Sequence, residues 1–415
     1  MISPRAATAL LFASLGFSIP ATAENTPQTI LSQPQTGATG LLVGKLATGS
    51  EWDRIWSVPT LYKNDANPVL QELAIIGQLQ TQYAAGSNDT GNYGSMDRPD
   101  DWNWGNVEVR RMRLGLKAKM FGKLSFFNLV DLNPDLSPRI YKRTPEFNFT
   151  YAENDALNLS AGKTELKFNR EQEYSSKDFL PFERSAVGNM LYGGELTGAW
   201  INGKGIAGGW LYYIGVFSND RVDEFSHFDG GTMVLGKIGY DYTKNTGFDL
   251  AEVKFQYLHN TDPGFQETDE CLKSPSYSDC ISISNQITEG PFDLTTELLW
   301  ADGVNGAANV YALSAMANYS FTKNLQLITT WEVAGSNDDN GGGVVLPGRY
   351  EACAPDLGDI RGDAYFAGYA GLNYYFHGQK LKVMSGVKYS CMDGASDGGG
   401  DFNGWTWLCG VRMAF

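Results

Sequence analysis

Four basic side chains recur at even spacing in one short run: Arg111, Arg113, Lys117 and Lys119. In an extended chain such residues share one face. A guanidinium on that face could donate paired hydrogen bonds to phosphate or carboxylate, and an ammonium would add positive charge without the planar fork. Further along, Lys163, Arg170, Lys177, Asp178, Glu183 and Arg184 gather around one polar segment, 168–190. With Arg111, Arg113 and Lys117 they are the candidates for a constriction at which charge selects what passes. The competing reading has the same cations neutralising nearby Glu and Asp and holding the segment in place. The residue types alone leave both open.

Catalysis finds little footing. The three His are His227, His259 and His377, none beside a nucleophile and acid on one strand face, and a G-x-S-x-G elbow is absent. No His lies at metal-ligand spacing. The acidic stretches Asp97 to Asp101, Asp338-Asp339 and Asp393 to Asp401 lack EF-hand spacing and read as solvated loops. No cofactor is implied. Of the five Cys, Cys271 and Cys280 bracket a short polar stretch, Cys353 lies in a Gly/Pro/Asp-rich loop, and Cys391 and Cys409 fall in the last two strand-like runs. Cys271, Cys280, Cys391 and Cys409 are disulfide candidates whose connectivity the sequence does not give.

The elements that must position these residues are strands. Residues 252–258 oppose Val253, Phe255 and Tyr257 to Glu252, Lys254 and Gln256, and 146–151 oppose Phe147, Phe149 and Tyr151 to Glu146, Asn148 and Thr150. A period of two with one apolar face is a half-wetted strand. From Val107 the same alternation puts Val107, Val109, Arg111 and Arg113 on the wet face, and Arg110, Met112 and Leu114 on the other. About sixteen such runs follow one another, joined alternately by short turns such as 121–123 and long loops such as 168–190, 218–230 and 336–361. Short turns on one rim and long loops on the other describe an antiparallel transmembrane β-barrel, wide enough at sixteen strands for a water-filled channel. The lumen parity collects nine bases (Lys237, Lys254, Lys382, Lys388 and Arg412 with the first four) against seven acids: Glu72, Glu146, Asp241, Glu252, Asp293, Glu297 and Glu332. Trp300, Trp331, Trp405, Trp407, Tyr319 and Tyr375 read as interface girdles, with Trp210 and Tyr212 as the lumen aromatics.

Composition agrees. The 415-residue chain carries a formal charge of −15, which argues against a nucleic-acid partner, and beyond its first twenty-odd residues it has no apolar run long enough for a membrane helix. Arg5, the apolar stretch from Ala6 to Ile19 and Ala21-Thr22-Ala23 read as a cleaved signal peptide, residues 1–23. Residues 24–60 read as a flexible periplasmic leader and 61–415 as the barrel, ending in an alternating strand and Phe415.

Several blocks resemble the phosphate-selective porin O and P family. They are Leu61-Tyr62-Lys63-Asn64, then Glu108-Val109-Arg110-Arg111-Met112-Arg113-Leu114-Gly115, Gly162-Lys163-Thr164-Glu165-Leu166-Lys167-Phe168, Phe182-Glu183-Arg184-Ser185, and Tyr213-Ile214-Gly215-Val216-Phe217-Ser218. They fall in family order over about residues 60–220; the second half matches only in style. The resemblance implies a trimeric outer-membrane pore for small hydrophilic solutes, with 168–190 folded inward, in contact with lipid and lipopolysaccharide. A carbohydrate-specific porin is the rival within transport, and an outer-membrane hydrolase the rival outside it.

Overall fold

The computed structural model describes residues 51–89, 101–134, 139–266, 272–337, 343–345, 350, 361–393 and 402–415. Its framework is a closed sheet of sixteen antiparallel strands. In chain order these are β2 (Leu70–Asp89), β3 (Asp101–Met120), β4 (Leu124–Leu132), β5 (Tyr141–Asn154), β6 (Leu157–Glu165), β7 (Glu195–Ile206), β8 (Trp210–Ser218) and β9 (Thr232–Asp241). There follow β10 (Leu250–Asn260), β11 (Tyr277–Glu289), β12 (Phe292–Gly303), β13 (Val310–Ser320) and β14 (Leu325–Ser336). A two-stranded hairpin, β15 (Val344–Val345) with β16 (Arg361–Gly362), precedes β17 (Ala364–Tyr375), β18 (Leu381–Asp393) and β19 (Phe402–Ala414). Each barrel strand pairs with its sequence neighbour, and β19 returns to β2 from Asn403↔Asp89 to Ala414↔Gln78. A closed sheet leaves no open edge, which is what a strand needs in a solvent that cannot satisfy its backbone.

The alternation seen in the sequence is the alternation of the wall. Phe149, Phe255, Trp331 and Trp405 face outward and are exposed, while Asn148, Gln256, Glu332 and Thr406 face inward and are buried. The upper half of β3 departs from it. The register steps from Gln80↔Arg111 to Thr81↔Val109, so Arg110 is an extra residue in a β-bulge. The bulge reverses the faces: Val107 and Val109 are exposed, whereas Glu108 meets Tyr350 and Arg110 meets Glu183 inside. Two aromatic expectations also change. On β8 the outward parity carries Ile214 and Val216 with Trp210 and Tyr212, so the lumen aromatics are Tyr213, under Lys237, and Phe217. Tyr375, expected in a girdle, is buried in the lumen with its hydroxyl 2.6 Å from Gln326 Oε1.

Of the expected leader 24–60, the described residues from 51 onward are built onto the barrel. Helix α1 (Glu51–Ser57) and strand β1 (Thr60–Lys63) lie at the short-turn rim, β1 pairing with β2 from Thr60↔Ala74 to Lys63↔Glu72. The Trp56 indole donates to the carbonyl of Ala414 at 2.6 Å, and its ring lies 5.3 Å from that of His377 in the turn after β17. Residues 51–63 therefore bridge the first strand and the last. Trp56→Phe removes the indole donor and should lower the midpoint of heat-induced unfolding by the equivalent of about 1 kcal/mol, read from gel mobility of unboiled samples.

Candidate inward loop and lumen wall

Loop 166–194, between β6 and β7, turns into the barrel and carries two short helices, α2 (Arg170–Glu173) and α3 (Ala186–Met190). The stretch Lys177 to Arg184 between them is turn and bend. Asn169 starts α2 from a left-handed backbone (φ 64°) and its side chain accepts from Gln172 N. Ser185 caps α3 from an ordinary negative φ, its hydroxyl accepting from Gly188 N.

Three sets of wall groups hold this loop. At its first arm, Glu297 of β12 accepts from Arg170 N at 2.7 Å and from Ser282 Oγ at 2.5 Å. Glu173 is gripped by Lys237 at 3.0 Å, Lys254 at 2.8 Å and Arg170 at 2.7 Å. Burial opposes ionisation of Glu173, but those three cations outweigh it and hold the carboxyl well below its usual range. At the tip, Lys382 of β18 and Arg412 of β19 both donate to the Phe179 carbonyl, at 3.0 and 3.1 Å, and Arg412 also donates to the Phe182 carbonyl at 2.6 Å. Asn373 adds a bond to Leu180 O at 2.8 Å, and Gln80 one to Ser176 O at 3.0 Å. On the return arm, Glu332 of β14 accepts from Ala186 N and Val187 N at 2.8 and 2.9 Å. A carboxylate on free N–H groups at a helix start is a favourable pairing.

Apolar packing completes the fit. Leu166, Phe168, Val187 and Leu191 of the loop join a buried cluster with Phe217, Leu235, Leu258, Leu299, Tyr365, Met392 and Phe402 of the wall. The inward parity is thus not polar throughout: near the long-loop rim, β8 to β14 and β17 to β19 turn apolar side chains in to meet the loop.

No protein-family model and no curated protein matches this chain. Solved structures do. OmpF of Salmonella typhi, solved as a complex with daunomycin, is 14% identical, with a TM-score of 0.54 over 86% of this chain and 100% of that one. OmpT of Vibrio cholerae is 14% identical with a TM-score of 0.52, covering 83% and 98%. An anion-selective porin from Comamonas acidovorans is 13% identical with a TM-score of 0.50, covering 83% and 99%. The fold is that of the outer-membrane porins. The likeness is to porins in general and does not reach the O and P family.

Within this porin fold the expected constriction residues do not form one basic cluster. Arg113 pairs with Asp131, which also takes Arg143 at 2.8 Å, and Arg143 reaches Glu195 at 2.8 Å. Lys117 pairs with Glu72 at 2.8 Å, near the short-turn rim. Arg170 belongs to the Glu173 network, and Arg184 meets Glu165 at 3.3 Å with its guanidinium over the Phe179 ring. Glu183 lies 3.8 Å from Arg110. Lys177 is exposed, and Asp178 N bonds Ser175 O within the tip. Arg111 donates to a neutral amide, Gln80 Oε1, at 2.9 Å.

Lys163 is elsewhere. The register sets it opposite Phe147, on the outward parity. Its ammonium, buried under loop 219–231, donates to the carbonyls of Val222 at 2.7 Å, Asp223 at 2.9 Å and Glu224. Phe225 of that loop packs on Phe147, ring to ring at 5.4 Å. Lys163 therefore fastens a rim loop to the outside of the wall.

Among the described residues the disulfide candidates are unpaired. Cys280 is a buried free thiol of β11, and Cys391 and Cys409 are free as well. Cys391 stands opposite Asn403 and Cys409 opposite Ser385, so the two thiols are six register positions apart on adjacent strands. Cys271 and Cys353 lie outside the described residues. Among the described residues no group of three His, Cys, Asp or Glu is arranged to hold a metal.

The sequence could have supplied some of the missing partners. A hairpin turn at 121–123 pairs Arg113 with Asp131 by register alone. Arg143 and Glu195 carry no such signal, because the β4–β5 register shifts on either side of Arg143.

Proposed function

We propose that this chain forms a water-filled channel in a bacterial outer membrane, through which small hydrophilic solutes and ions diffuse passively. The observation that carries this reading is the long loop folded into a sixteen-stranded barrel and bonded to its wall at both arms and the tip. A loop so held narrows a lumen without adding chemistry of its own. The outward apolar face supports contact with lipid, and with lipopolysaccharide at the long-loop rim. Export through a cleaved peptide at residues 1–23 and assembly as a homotrimer belong to the same reading. They rest on the first residues of the sequence and on the resemblance to the O and P family.

A mild anion preference is the finer reading, and Arg111 supports it. Most of the other expected cations are matched by a carboxylate, whereas Arg111 faces Gln80. The anion-selective porin among the structural neighbours is in keeping with it. Reconstitution into a planar bilayer under a salt gradient tests both levels. Discrete current steps are expected, with a reversal potential that favours Cl⁻ over K⁺ and moves toward zero in Arg111→Gln. An unmoved potential removes the role of Arg111; a bilayer that stays silent removes the channel.

A further inference from the structure

We propose that docking of loop 166–194 in the lumen is governed by protons shared among three carboxylates, Glu171 of the loop and Glu297 and Glu332 of the wall, so that passage follows pH. This rests on the channel reading above. The three side chains line one cavity of about 40 Å³ between the loop and the β12–β14 side of the wall. That is room for a few waters.

Each carboxylate is held by uncharged donors. Glu171 accepts from Ser185 N at 2.9 Å and Ser185 Oγ at 2.8 Å, stapling α2 to the start of α3. Glu297 takes Arg170 N and Ser282 Oγ, and Glu332 takes two backbone N–H groups of α3. The other charged and titratable groups on the cavity are Arg170, Tyr174, Glu183 and Arg184 from the loop, Tyr369 from β17 and Lys388 from β18. Arg170 is engaged by Glu173 and Glu252, Arg184 by Glu165, and Glu183 by Arg110. Lys388 is the cation that acts on Glu171 and Glu332 together. Two buried hydroxyls, Thr295 Oγ1 beside Tyr174 and Tyr369 OH, line the same cavity. They supply polar contacts for the water that such a proton would need.

Three carboxylates around a small cavity titrate as a unit. Burial pushes the Glu171 carboxyl up, against the pull of the Ser185 donors and of the Arg184 and Lys388 charges. Undocking the loop hydrates Glu171 and uncovers its two partners. The docked state therefore binds protons more tightly than the released one, so docking strengthens as pH falls and weakens as pH rises through the range of the cluster. The Glu173 network has the opposite sign, since its carboxyl is held low, and it loosens only in strong acid.

The test uses the full barrel in a planar bilayer, with single-channel current read from about pH 5 to about pH 9. Wild type should pass more current, with more frequent fluctuation, toward the alkaline end, and a Glu171→Gln/Glu297→Gln double variant should lose that dependence. Superimposable pH curves for the two overturn the proposal. A second readout needs no current: the infrared band of protonated carboxyl groups in the detergent-folded protein. It should be present near neutral pH and weaker in each single variant. An unchanged band in both variants overturns the proposal even if the channel reading itself fails, and silent bilayers with a variant-sensitive band sink only the channel reading.

Discussion

Replacing Lys382 and Arg412 together by alanine should release the tip of the inward loop and raise single-channel conductance. The two cations are direct cross-strand partners, and both side chains are buried. Like charges in such a position repel each other unless a common partner lies between them. Here that partner is the loop backbone: both cations donate to Phe179 O, and Arg412 also donates to Phe182 O. Alanine leaves two carbonyls without donors, at about 1–3 kcal/mol each, or roughly 2–6 kcal/mol for the tip. A displacement of that size converts a minor open population into a major one. The arms keep their own ties at Glu297 and Glu332, so the barrel should still assemble. The expected record is a larger and noisier unitary current with unchanged heat stability of the barrel. Conductance equal to that of wild type would show that the loop needs neither cation.

The second large effect is a failure of the wall. Gly162 lies in β6 at φ 133°, a conformation that a residue with a Cβ reaches only under strain. An added Cβ would run into the Phe147 carbonyl oxygen and stand 2.7 Å from Asn148 Cα, so the obstacle is backbone. Gly162→Val therefore combines backbone strain with overpacking, for a loss of about 3 kcal/mol or more. In a urea titration followed by gel mobility, the folded band should disappear at distinctly lower urea than in wild type. Gly236→Ala is the matched control: its Cβ would meet no heavy atom within 4 Å, and a change within about 0.5 kcal/mol is expected. Equal midpoints for the two variants would contradict this account of Gly162.

How far the sequence could be read depends on whether a residue's role is set locally. Strand faces were legible because burial alternates with period two, as in Val253, Phe255 and Tyr257 against Lys254 and Gln256. That rule fails where one extra residue enters. At Arg110 the bulge moves Glu108 inward and Val109 outward, and nothing in the residue types around it announces the step. The inward loop was legible as a long polar connection with charges spread from Arg170 to Arg184. Its bonds were not, because Phe179 O and Val187 N are backbone atoms whose partners, Arg412 and Glu332, come from strands more than a hundred residues away. Lys163 shows the same limit: its place beside segment 168–190 suggested the constriction, but Gly162 sits at an unusual φ and the ammonium finds three carbonyls of loop 219–231. Counting lumen charges gave a near balance, and the contacts show where that balance is spent: on pairing within the wall and loop.

The contact between residues 51–63 and the last strand has a topological consequence. Gly77 and Phe415 exchange two backbone hydrogen bonds, and Trp56 reaches Ala414 from the other side. The two ends of the barrel's strand order therefore lie side by side at one rim, so the sixteen strands form a ring in which the starting strand is a matter of chain connectivity. A covalent link from Phe415 to a residue before β2, with new ends opened at Gly290 in a turn between β11 and β12, would give a rotated chain order with every strand pairing kept.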